Sequence, residues 1–192
     1  MECCEVLAPV GCIESLGSGR IIAWHKEDGI IYFSVAYDGV TGKNLIKHLQ
    51  DDGVSIGNYA KQVLHSLDLG STSIVGKTTT KIAVLPGKLF TDNHRTKNKI
   101  CAEAKRRGFI EPPAELTCLV SDCLFSEDIQ AMGLSCVVVM HEPIVGHDGD
   151  QVLLVVDGFN NSRSIHACKS THKWNPSVGF AFIVPEQQET EN

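Results

Sequence analysis

No stretch of this chain approaches the roughly 18 continuous apolar residues that a membrane-spanning helix requires, so a helical span is not expected. The first residues, Met-Glu-Cys-Cys-Glu-Val-Leu-Ala-Pro, carry an acid where a secretory signal is basic, and they contain no apolar core segment. Basic charge is not in excess. The 17 Lys and Arg stand against 23 Asp and Glu, a formal charge of −6 that argues against whole-surface binding to nucleic acid or an anionic membrane. Internal repeats and low-complexity tracts are missing too, and with them the solenoid and linker architectures.

What is present in quantity is apolar residue and cysteine. Apolar residues make up 43% of a chain of 192, enough for a core without staples in one domain. Eight cysteines could form four disulfides, but no export signal accompanies them. They are therefore expected as free thiols of a cytoplasmic protein. On the same ground the Asn160-Asn161-Ser162 sequon carries no weight. Cys3-Cys4 lacks the basic or apolar partner signal that accompanies lipidation.

Local patterns predict an α+β fold. Two β-rich runs, 20–25 and 30–36, flank Asp28-Gly29 and read as a hairpin. Helices are expected from Thr41 to Gly53 and from Asn58 to Gly70, then a strand from Thr78 closed by Pro86-Gly87. A long helix capped by Asp92 is expected to run to Gly108. The segment 115–124 reads equally as helix or strand, and Ser126, Glu127 and Asp128 open a short helix stopped by Gly133. Strands follow at 136–140, 152–156 and 180–184. Strands at both ends with helices in the central part favour a mixed, mostly antiparallel sheet in a single domain, 1–185, with a polar, frayed tail at 186–192.

Few clusters could carry chemistry. Residues 71–78, Ser-Thr-Ser-Ile-Val-Gly-Lys-Thr, resemble a phosphate-binding loop but lack its first glycine and the helix that should follow. The densest cluster follows the apolar strand 136–140. His141, Glu142, His147, Asp148 and Asp150 offer imidazoles and carboxylates suited to zinc or manganese. Their spacing matches no established ligand pattern, and a hairpin turn with Asp and Gly explains 148–150 without a metal. Pro143 is expected to close the strand. His166, Cys168 and His172 form a second cluster, which would complete a mixed metal site only if it folded beside His141 or His147. Among the thiols Cys168 has the most polar surroundings and is the candidate nucleophile.

The predicted 92–107 helix places Arg95, Lys99 and Arg106 on one side, opposite Ile100, Cys101 and Ala104. Such a stripe on an acidic chain suits an acidic protein partner. No aromatic residues interleave with it, so nucleic acid is not expected. Two readings follow. The first is a binding or interaction domain that needs no cofactor. The alternative is a small metal- or His/carboxylate-dependent hydrolase centred on 141–150, with His141, Glu142 and Cys168 as its catalytic candidates.

Overall fold

The computed structural model describes residues 23–37, 42–67, 78–158 and 162–186. Along the chain run β1 (His25–Glu27), β2 (Ile30–Tyr37), α1 (Gly42–Asp51), β3 (Ser55–Ile56), α2 (Asn58–Ser66) and β4 (Thr78–Pro86). Two single turns of tighter helix, Gly87–Leu89 and Asp92–His94, precede α3 (Lys97–Arg106), α4 (Leu116–Cys123) and α5 (Ser126–Ala131). The chain closes with β5 (Cys136–Val145), β6 (Gln151–Asp157), β7 (Ser164–Lys169) and β8 (Val178–Ile183). The strands form one eight-stranded sheet in the order β1-β2-β4-β8-β5-β6-β7-β3. Most pairs are antiparallel; β5 with β8 and β3 with β7 are parallel. The fold is α+β, with its helices in the middle of the chain.

The first hairpin turns at Asp28-Gly29 as expected, but its first strand is His25–Glu27 rather than 20–25, of which residues 20–22 lie outside the described residues. Asp28 (φ 49°) and Gly29 (φ 79°) both take left-handed backbone, the two-residue turn whose twist matches the flanking strands. At the centre of the sheet β5 and β8 are covered on both faces. Accordingly Val137, Val138, Val139 and Met140 run together without alternation, as do Phe180, Ala181 and Phe182, and all seven are fully buried. Helices α1, α2, α4 and α5 supply Leu45, Leu49, Val63, Leu64, Leu119 and Ile129 to the core on one face. On the other face α3 contributes Ile100 and Ala104, which pack with Trp174 and Phe180. Asp128 opens α5 by accepting the Phe125 N–H at 2.9 Å, so the acidic first turn satisfies a donor the helix leaves free.

Several expectations need correction. The segment 92–107 is not one helix: a tight turn at Asp92–His94 is followed by α3, which begins only at Lys97. The break falls at Arg95, whose side chain is drawn inward to unpaired carbonyls. Pro143 does not close β5. The strand continues to Val145 through an irregularity where pairing jumps from Val139↔Leu154 to Ile144↔Val152, and proline is tolerated there because a ladder donor is not required. Residues 164–169, to which the sequence assigns no element, form β7, and β3 pairs beside it at the sheet edge; the sequence pattern disclosed neither. The ambiguous 115–124 segment is helical.

Among the described residues no helix is long and apolar enough to cross a membrane. Among the described residues, Cys101, Cys118, Cys123, Cys136 and Cys168 form no disulfide. Cys3, Cys4, Cys12, residues 71–77, Asn160, Asn161 and residues 187–192 lie outside the described residues.

Candidate functional site

The cluster at 141–150 is taken apart by the fold. His141 is buried, and both ring nitrogens are occupied: Nε2 accepts the Leu154 N–H at 3.0 Å, and Nδ1 lies 2.7 Å from the Glu142 carbonyl. Because Nε2 accepts, the proton sits on Nδ1 and is donated to that carbonyl. Burial lowers the imidazole's pKa, and the ring serves the sheet as a neutral group. Glu142 points outward and lines a shallow groove of about 410 Å³ with Thr96, Lys97, Gln151 and Ser170.

The carboxylates of the turn are engaged elsewhere. Asp150 pairs with Lys169 at 2.6 Å. Asp148 accepts the Tyr59 hydroxyl of α2 and, at 3.2 Å, the backbone N–H of Asp150. The hydrogen bond to Asp148 pushes the Tyr59 hydroxyl up to about 12 and holds the carboxyl of Asp148 below its usual range. His147 meets the Tyr59 ring edge-on at a centroid distance of 5.2 Å. A Cβ on Gly146 would sit 1.9 Å from the Tyr59 oxygen, so glycine is what lets the turn close on α2.

The second cluster does not join the first. The imidazole of His166 pairs with Asp157 (Nε2 to Oδ2, 3.5 Å), and the same carboxylate accepts the Ser164 hydroxyl. The carboxylate thus stands between hydroxyl and imidazole. A serine nucleophile needs the imidazole in that position, so no proton relay of that kind is built here. The Cys168 thiol, half-buried, donates to the Leu153 carbonyl at 3.5 Å, and burial pushes its pKa up to about 12. It is a protonated core thiol at neutral pH, not an activated nucleophile. His172 packs edge-on against Trp174 at 4.9 Å. Among the described residues, none of His141, His147, Asp148, Asp150, His166 and His172 belongs to a group of three ligand-type atoms within 4.8 Å of one another.

The basic stripe is rearranged rather than dispersed. Arg95 is buried; its Nε donates to the Trp174 carbonyl at 2.9 Å and its Nη1 to the Phe90 carbonyl at 2.7 Å, with Asp92 as its ion-pair partner. Lys99 and Arg106 remain exposed on α3 and line one wall of a groove of about 430 Å³. The opposite wall is the 89–94 segment, with Leu89, Phe90 and His94. Phe90 is fixed edge-on against Phe180 at 6.1 Å, and Leu89 is 40% exposed.

Glu103 also borders the groove, but its two oxygens serve two guanidiniums, Arg106 at 2.7 Å and Arg107 at 2.6 Å. Those bonds, that of Arg106 foremost, lower its pKa to about 2. One carboxylate between two guanidiniums leaves the wall positive. Sequence reasoning found Lys99 and Arg106 but not Leu89, Phe90 or His94, because a shared groove is a property of two segments meeting. It also missed a triad of ligand-type groups, His48, Asp52 and Asp122. The i,i+4 spacing of the first two was visible; the approach of the third was not.

Comparison with protein-family models, with curated proteins and with solved structures finds no match to this chain.

Proposed function

We propose that this chain is a binding domain that receives an acidic segment of a partner protein in the groove between α3 and residues 87–94. One observation carries the reading: an apolar wall, Leu89 and Phe90, faces a wall that carries the cations Lys99 and Arg106 on a chain of formal charge −6. An exposed apolar anchor beside positive charge suits a segment that alternates carboxylates with apolar side chains. Rim charges of this kind set encounter rate and salt dependence more than final affinity. Phe90, the aromatic ring in this groove, is held edge-on against Phe180 rather than set as a free stacking platform, which favours a protein segment over stacked bases.

The test is fluorescence anisotropy with a labelled peptide alternating Glu and Leu, its Lys-for-Glu counterpart, and a single-stranded oligonucleotide. The acidic peptide should bind, and binding should weaken as salt rises, because exposed charges are screened within about 10 Å at 0.1 M. Lys99→Glu should reduce affinity about tenfold or more. Equal binding of the acidic and basic peptides, or an unaffected Lys99→Glu variant, would overturn the proposal. Binding of the oligonucleotide alone would replace the partner with a nucleic acid.

A further inference from the structure

The geometry points to a second site, independent of the groove: we infer that His48, Asp52 and Asp122 bind a divalent transition-metal cation, zinc in preference to manganese. The three residues meet where the C-terminal ends of α1 and α4 come together. An i,i+4 spacing puts His48 and Asp52 one turn apart on the same side of α1, with Asp52 one residue beyond its end. Asp122 comes from the last turn of α4. The His48 Nε2 is 3.5 Å from Asp52 Oδ2 and 3.9 Å from Asp122 Oδ1, and all three donor atoms lie within 4.8 Å of one another.

Ligand atoms at about 2.1 Å around a tetrahedral ion stand roughly 3.4 Å apart, so small rotations of exposed side chains close the shell. One imidazole with two carboxylates is a donor set that zinc and manganese both accept, and the order of affinities for such sites favours zinc. The side chains of His48 and Asp52 are 44% and 46% exposed, which leaves an entry path and room for water.

The surroundings favour positive charge for a separate reason. Two helix C-termini present carbonyl oxygens here, and their partial negative charge adds to that of the carboxylates. The fold already places one cation against them. Arg163 donates to the Asp52 carbonyl at 2.7 Å and to the Asp122 carbonyl at 3.1 Å, and its guanidinium lies 4.6 Å from the centre of the Phe125 ring. Its Nη1 also stands 3.9 Å from the Asp122 Oδ1, the oxygen that lies 3.9 Å from the His48 Nε2. The guanidinium answers the main-chain ends and positions the two aspartates side by side. Below the site Leu45, Leu49, Leu119 and Val120 belong to one buried core, so the ligands stand on rigid elements.

Titration of metal-stripped full-length protein with zinc chloride, and separately with manganese chloride, tests the inference by isothermal calorimetry and by melting temperature. Wild type should bind one equivalent of zinc, more tightly than manganese, and should melt higher with zinc present. His48→Ala and Asp52→Asn alter exposed groups and should keep the wild-type urea midpoint, yet each should lose zinc affinity about tenfold or more, as removal of a first ligand requires. No zinc binding by the wild type would overturn the site. Undiminished binding in both variants would also overturn it, by assigning the zinc to other residues such as the free thiols.

Discussion

The imidazole of His141 takes the place of a main-chain carbonyl in the sheet: its Nε2 accepts the Leu154 N–H at 3.0 Å, at the point where β5 leaves register with β6. Beyond the Val139↔Leu154 pair the two strands lose register, and the ring accepts the Leu154 N–H there. A buried N–H without an acceptor costs about 1–3 kcal/mol, which explains why so polar a side chain sits 1% exposed beside Met140.

His141→Ala should therefore lower stability by about 2–4 kcal/mol, the lost acceptor adding to the cavity. The effect has a pH signature. Burial lowers the folded-state pKa of the ring, so the folded protein takes up this proton less readily than the unfolded chain. The contribution is complete above the ordinary value of about 6.5 and is lost as pH falls through the lower folded value. Urea denaturation at a series of pH values checks this. The gap between wild type and His141→Ala should narrow in acid; a gap that is constant from neutral to acid would exclude this role.

Arg95 and Lys99 should separate cleanly. Arg95→Ala leaves the Trp174 and Phe90 carbonyls without their buried donor and should cost about 2–4 kcal/mol, read from the urea midpoint. Arg95→Lys should recover only part of that loss, because an ammonium cannot reproduce the fork that serves both carbonyls. Lys99→Glu should leave the midpoint nearly unchanged, since Lys99 is exposed. Equal losses in the Arg95 and Lys99 variants would contradict the division between a structural arginine and a surface lysine.

The turn at 146–150 is latched to α2, and the latch can be followed spectroscopically. Tyr59, held near 12 by Asp148, should titrate at high pH in an ultraviolet absorbance titration. Asp148→Ala should bring that tyrosine down toward the ordinary value of about 10. Gly146→Ala should do the same, because the new Cβ forces the Tyr59 ring away from its partner. A Gly146→Ala protein whose tyrosine titration matches wild type would show that the turn absorbs the methyl group without releasing Tyr59.

Local chemistry by itself determined much of this protein. Asp28-Gly29 specified a hairpin because few residue pairs tolerate two consecutive left-handed conformations. Gly53, Gly108 and Gly133 marked helix ends for the same reason, and all three have positive φ. The unbroken run Val137–Met140 announced a buried strand, and the mixture of hairpins and central helices announced an α+β sheet. Tertiary structure decided the rest. Arg95 reads as one more exposed cation on a helix until the 170–177 loop, nearly eighty residues away, brings the Trp174 carbonyl to it. His141 resembles a ligand among other ligands until Leu154 claims its ring. Asp122 and His48 belong to separate helices, and only the packing of α1 against α4 makes them neighbours. Backbone preference acts within a few residues and can be read along the chain; the partner of a polar side chain is chosen by contacts between distant segments, which no local pattern records.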